Sequence, residues 1–205
     1  RLPHALLFLG SAGIGKFRAA EWFTLGLFCA QGVPAAGGAP CGVCPPCKRV
    51  RAGSHPDAFV VEPEDGDEHL PLGCFVKREG GPRSVQEFLS LRAAEGGRRV
   101  VIVREMELTA DTQDAVQNAL LKMLEEPGRD VVWVLECSRP EALLDTILSR
   151  CVPVRFERLE PRETLAVLAA NGIEGSRAEH LARWGRGSPV AALALARAGG
   201  EGILD

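Results

Sequence analysis

The segment Leu6-Leu7-Phe8-Leu9-Gly10-Ser11-Ala12-Gly13-Ile14-Gly15-Lys16-Phe17 constrains the fold most: an apolar run, a glycine loop ending in lysine, then a helical stretch. Gly10, Gly13 and Gly15 let successive backbone N–H groups converge on phosphate oxygens at a helix N-terminus, while Lys16 supplies a cation for the outer phosphates. The next position breaks the pattern, because Phe17 stands where a Ser or Thr hydroxyl would ligate magnesium. A second break follows the apolar run Val100–Val103, where Arg104-Glu105 replaces the expected metal-organising Asp. A guanidinium cannot ligate a metal. Two losses at one metal site argue against bound magnesium and predict a nucleotide fold kept for something other than its own catalysis. Binding of ATP or ADP without hydrolysis stays open beside the alternative that the loop is an inherited turn.

Apolar runs and amphipathic stretches then alternate: Leu6–Leu9, a helix through Trp22 and Phe28, Ala58–Glu62, a helix around Val85–Ala94, Val100–Val103, a helix from about Thr112 to Glu126, and Val131–Leu135. Such alternation predicts an α/β fold with a parallel, doubly wound sheet. Ala115, Val116, Ala119, Leu120, Met123 and Leu124 follow i, i+3, i+4 spacing, with Asp111 as a cap and Pro127 as a stop. A helix near Glu141–Leu148 and a short strand Pro153–Phe156 follow. Beyond them strand signals cease, and helices are expected near 161–170, 176–184 and 188–198. The expected division is 1–159 for the sheet-bearing domain, with a cysteine module at 29–47, and 160–205 for a small three-helix lid. The acidic stretch Pro63–Gly73 and the turn Gly80-Gly81-Pro82 are expected loops.

Cys41, Cys44 and Cys47 form C-x2-C-x2-C, and Cys29 lies 12 residues before the first of them. This spacing lets a compact loop bring four thiolates around one ion, for which tetrahedral structural zinc is the natural occupant. Reduced thiols without metal and a disulfide pair are the alternatives, the latter disfavoured in a reducing compartment. Gly42, Pro45 and Pro46 are expected to make tight turns, and Lys48, Arg49 and Arg51 to offset thiolate charge and face solvent. Cys74, Cys137 and Cys151 lack partner spacing and are expected as small apolar fillers. His4, His55, His69 and His180 share no ligand spacing.

Composition excludes several classes. A net charge of −3 gives no whole-chain basic field for nucleic acid, and the absence of Tyr removes one base-stacking residue type. Any nucleic-acid contact is therefore local or shared with partners. No apolar run reaches the roughly 18 residues of a membrane span. The chain begins at Arg1 rather than Met and reads as a fragment.

Five pieces occur in a telling order: the phosphate loop; the cysteine module after its helix; Gly53-Ser54-His55-Pro56-Asp57; Asn118-Ala119-Leu120-Leu121-Lys122-Met123-Leu124-Glu125-Glu126-Pro127; and Ser149-Arg150-Cys151. In this the chain resembles bacterial DNA polymerase III clamp-loader subunits along essentially its whole length. The resemblance implies an AAA+ P-loop core in a pentamer that uses ATP to open a ring-shaped sliding clamp and place it on primed DNA. Motor subunits of that family, usually called gamma or tau, place Thr or Ser after the loop lysine, Asp-Glu after the third core strand, and a sensing Arg shortly after a Gly-Ser in the lid. Here those positions hold Phe17, Arg104-Glu105 and Val190. The chain thus looks like the family's non-hydrolysing member. By resemblance its partners are gamma or tau, the delta subunit, the clamp and, through the assembly, primed DNA. The resemblance also implies a cytoplasmic location and a C-terminal collar domain absent from these residues.

In such complexes the arginine of Ser149-Arg150-Cys151 reaches in trans to the phosphates of ATP held by a neighbour, which makes Arg150 the expected arginine finger. Arg104 is expected to pair with Glu105 or Glu107, the alternative being that it supplies positive charge near a phosphate in place of magnesium. Two rival readings are an ATP-hydrolysing gamma or tau motor with atypical motifs, and an unrelated P-loop phosphotransferase using Glu105 as a base. The cysteine module and Ser149-Arg150-Cys151 count against the second, since neither serves transfer to a small acceptor.

Overall fold

The computed structural model describes residues 2–33, 38–63, 69–81, 83–95, 97–109, 113–128 and 130–198. By internal contacts the chain forms two units, Arg1–Leu9 with Phe17–Val154, and Gly10–Lys16 with Arg155–Asp205. The glycine loop thus groups with the C-terminal helices.

β1 (Ala5–Leu9), β2 (Ala58–Val61), β3 (Arg99–Val103), β4 (Val131–Cys137) and β5 (Val152–Arg155), all of the first unit except the last residue of β5, form one sheet in the order β2-β3-β4-β1-β5. The pairs β2/β3, β3/β4 and β4/β1 are parallel, with Val61 opposite Val103, Val101 opposite Trp133 and Leu7 opposite Leu135. Every residue of β1, β3 and β4 is buried, as continuous apolar runs in a parallel sheet covered on both faces should be. The edge strands β2 and β5 are more exposed. Val101, Val103, Trp133, Leu135 and Cys137 share a core with Val116, Leu120 and Leu124 of α4 (Gln113–Glu125) and with Val85 and Phe88 of α3 (Val85–Ser90). Of the expected set, Val116, Leu120 and Leu124 form the buried stripe of α4, Met123 packs part-buried against it, and Ala115 is exposed. The expected cap Asp111 and Pro82 of the expected turn lie outside the described residues.

Helix α3 is shorter than expected, and its ends explain why. Ser84 and Glu87 form a capping box at its start. At its end the buried guanidinium of Arg99 takes the carbonyls of Phe88, Leu89 and Leu91, and the chain leaves the helix. Downstream, the buried carboxylate of Asp57 accepts from the amides of Ala94 at 2.6 Å and Glu95 at 2.7 Å, which holds that segment non-helical. The expected helix over Glu141–Leu148 is a single turn at Pro140–Ala142 followed by α5 (Asp145–Leu148).

The remaining helices of the first unit are α1 (Lys16–Phe28), whose first residue groups with the second unit, and α2 (Pro45–Arg51). The second unit packs α6 (Pro161–Ala170), α7 (Gly175–Gly185) and α8 (Pro189–Arg197) around Leu168, Ala178, Leu181, Ala182 and Ala192. Gly185 is required at the α7/α8 approach, where a Cβ would lie 2.8 Å from that of Ala192. No described helix is long and apolar enough to cross a membrane.

Candidate functional sites

The glycine loop folds as its composition demands. Gly13 and Gly15 adopt φ of +73° and +100°, and α1 begins at Lys16. Lys16 is buried, and its Nζ donates to the carbonyls of Gly10 at 2.7 Å and Ser11 at 3.0 Å within its own loop. The Gly13 carbonyl accepts from Ser188 Oγ at 3.0 Å and from the Val190 amide at 3.3 Å. Ser188 is also the N-cap of α8, accepting from the Ala191 amide at 3.2 Å. Val190 therefore offers the loop a backbone N–H.

In the first unit Phe17 and Arg104 lie on each other, with the guanidinium 4.2 Å from the ring centroid. The expected partners of Arg104 are corrected: it pairs with Glu62, not with Glu105 or Glu107. Register explains the choice, since Glu62 and Arg104 directly follow the paired residues Val61 and Val103. Glu105 is exposed in a left-handed conformation with φ 50°, and buried Glu107 accepts from the Ser138 amide at 3.0 Å.

Arg150 lies just past α5, and the surrounding sequence fixes it. The Arg150 amide donates to Ile147 O at 3.1 Å, Ser149 Oγ donates to Thr146 O at 3.0 Å, and the next residue, Cys151, is buried. The guanidinium is part-exposed, with Nη1 donating to Thr146 O at 3.0 Å and Nη2 2.6 Å from Glu125 Oε1 at the end of α4. Sequence reasoning missed Glu125 as a partner, although it lies in the motif quoted for the resemblance. It also missed Gln117, a buried amide that donates to Ala142 O at 2.9 Å and accepts from the Leu144 amide at 2.7 Å. A polar residue on an otherwise apolar helix face was the available signal.

Cys29, Cys41, Cys44 and Cys47 come together, with all four sulfurs within 4.8 Å of one another. Zinc–sulfur bonds of about 2.3 Å in a tetrahedron place sulfurs about 3.8 Å apart, so the donor set fits one such ion. The amides of Cys41 and Cys44 each donate 3.4 Å bonds, to Cys29 Sγ and Cys41 Sγ. Backbone donation, from Cys47 first and then Ala30, holds the Cys44 thiol down at about 6; donation from Cys41 lowers Cys29. Burial pushes Cys47 up to about 12. Pro45 and Pro46 do not make turns as expected. They open α2, where proline is tolerated, and Cys44 stands at the N-cap position without a side-chain cap bond.

The basic residues beside the cluster are engaged: Arg51 donates to Gly42 O at 3.3 Å and Arg49 pairs with Glu95. Cys137 and Cys151 are buried and Cys74 packs against the same core, as fillers would. His55 is buried, stacked 4.1 Å from Phe28, with Nδ1 accepting from the Asp57 amide at 3.2 Å.

A five-stranded sheet built on parallel pairs, a glycine loop after β1 and a three-helix unit define an α/β fold of the P-loop class. A gamma subunit-related protein of DNA polymerase III from Thermotoga maritima shares this fold at TM-score 0.56 and 20% identity, over 94% of this chain and 54% of that one. The family described as DNA polymerase III, delta subunit, matches residues 1–160, and the chain belongs to it. Subunit delta' of Bacillus subtilis is 35% identical over 184 residues, covering 89% of this chain and 50% of its own length. Subunit delta' of Pseudomonas aeruginosa is 44% identical over 149 residues, 73% of this chain and 42% of its own. The chain thus spans about half the length of the curated relatives it matches.

Proposed function

We propose that this chain serves as a delta-prime-type subunit of a DNA polymerase III clamp loader, working with gamma or tau motors and a delta subunit to place a sliding clamp on primed DNA. It does not hydrolyse ATP itself. Arg150 acts on the nucleotide of a neighbour, where its planar cation stabilises charge on the transferring phosphate. Cys29, Cys41, Cys44 and Cys47 hold a structural zinc, whose four protein ligands leave no open position for catalysis. Gly10, Gly13, Gly15 and Lys16 retain the capacity to hold ATP or ADP weakly, without magnesium. The division of labour follows the expected domains, a core over 1–159 and a lid over 160–205.

The observation that carries this reading is the presentation of Arg150. Its neighbour Cys151 is sunk into the core, while the guanidinium, just past a one-turn helix, is part-exposed and held at both Nη atoms. An arginine with no task beyond solubility needs no such mount. The test is the full-length protein assembled with its motor and clamp-opening partners. Arg150→Ala is expected to cut DNA-stimulated ATP hydrolysis and clamp loading, by about 10³-fold or more at the site served, without dissolving the complex. Arg150→Lys is expected to rescue poorly, because an ammonium lacks the two-pronged plane. Unchanged rates for Arg150→Ala in an intact complex would remove the trans role.

A further inference from the structure

Glu125 stands where a helix least favours an acid. It is the last residue of α4, where the final carbonyls concentrate partial negative charge, and Glu126 beside it adds a second carboxylate. For α4 alone the placement is unfavourable, and Pro127 prevents the helix from running on to a better end. What the placement does provide is a contact, Glu125 Oε1 lying 2.6 Å from Arg150 Nη2 across 25 residues of sequence.

A lone surface ion pair contributes little. This one is half of a two-point mount, because Nη1 of the same guanidinium donates to Thr146 O at 3.0 Å. With both Nη atoms tied, the plane of the guanidinium has one orientation rather than the many that a long side chain otherwise samples. A guanidinium has five N–H donors, and the two contacts use two of them. Three remain for an oxyanion, so the mount and an incoming phosphate do not exclude each other. The carboxylate repels a phosphate, which restricts the anion to the side of Arg150 away from α4.

We infer that Glu125 is a positioning residue: it aims Arg150 before the neighbour's nucleotide arrives, and its charge sets the side from which the phosphate is met. This rests on the trans reading of Arg150. The contribution is preorganisation, which lowers the barrier through orientation rather than through new contacts in the reacting centre.

The experiment compares Glu125→Ala, Glu125→Gln, Glu125→Asp, Arg150→Ala and the double variant Glu125→Ala/Arg150→Ala in the full-length protein, assembled with its motor and clamp-opening partners. DNA-stimulated ATPase is resolved into kcat and KM for ATP, beside a melting curve and a sizing profile. Arg150→Ala sets the scale. Glu125→Ala is expected to lower kcat at the served site about tenfold with KM unchanged, as loss of orientation does. Glu125→Asp should recover most of that loss, and the double variant should match Arg150→Ala. If Glu125→Ala fails to fold, Glu125→Gln, which keeps the volume and removes the charge, decides by the same criteria. Glu125→Ala or Glu125→Gln as fast as wild type, faster than it, or fully additive with Arg150→Ala overturns the positioning role while Arg150→Ala remains slow. Wild-type rates in Arg150→Ala itself overturn the trans reading, and the positioning role with it.

Discussion

The guanidinium of Arg104 lies over the ring of Phe17 at 4.2 Å, so the two residues found at expected magnesium positions pack on each other. A cation over an aromatic face contributes about 0.5–2 kcal/mol, depending on how dry it is. Glu62 balances the charge of Arg104. At those two positions the chain carries a packed cation–aromatic pair.

Because neither side chain offers magnesium an oxygen, the purified chain is expected to release no phosphate from Mg-ATP above a buffer control. Phe17→Thr alone should change nothing, since Arg104 still holds the second position. Lys16-dependent phosphate release, in a preparation free of motor subunits, would overturn the non-hydrolysing reading.

The cysteine cluster is expected to hold one zinc per chain, measured by metal analysis of protein purified without chelator. Cys47→Ser removes a fully buried ligand from the cluster that also contains Leu25 and Cys44, and should lower the melting temperature and the metal content together. Acid should release the metal, because each thiolate must then take a proton. Well-folded protein with far less than one equivalent would sink the assignment.

His55 makes stability depend on pH in a definite direction. Burial pulls its pKa below 6.5, against the opposing pull of Glu95 and Asp57. As pH falls through about 6.5, the unfolded imidazole takes up a proton that the folded one resists. The stability His55 contributes is therefore present above that pH and lost as pH falls. Denaturation midpoints of metal-loaded protein should drop between about pH 7.5 and 5.5, and drop less in His55→Asn. Equal slopes for the two proteins would count against this origin.

The glycine loop should be sensitive at Gly13. An added Cβ would lie 2.6 Å from Ser188 Oγ at a φ of +73°, and the left-handed backbone alone costs a non-glycine residue about 1–2 kcal/mol. Ser188→Ala removes both a helix cap, about 1 kcal/mol, and the hydroxyl bond to Gly13 O. Hydrogen exchange at the Val190 and Ala191 amides should quicken in both variants. Protection unchanged from wild type would show that the bonds to Gly13 contribute nothing.

Much of this was legible in the sequence because period and punctuation carried it. The apolar runs of β1, β3 and β4 and the stripe Val116, Leu120, Leu124 depend only on which residues are buried, and C-x2-C-x2-C depends only on local spacing. What escaped were pairings set by distant chain segments. The end of α3 is decided by Arg99 and Asp57, which no local pattern near Ser90 reveals. Arg104 found Glu62 because two strands are in register, whereas sequence proximity favoured Glu105 and Glu107. Helix α2 was missed because two successive prolines read as a turn, although at a helix start they cost no hydrogen bond.

Helix α4 grips the loop that bears Arg150 at two places. Gln117 clasps the backbone at Ala142 and Leu144, and Glu125, eight residues and about 12 Å further along the axis, clasps the guanidinium. The stretch 142–150 is thereby strapped along one rigid rod. The tip is tied to the rod, so a tilt of α4 against the sheet would carry the arginine with it, and the aim of Arg150 reports how α4 lies.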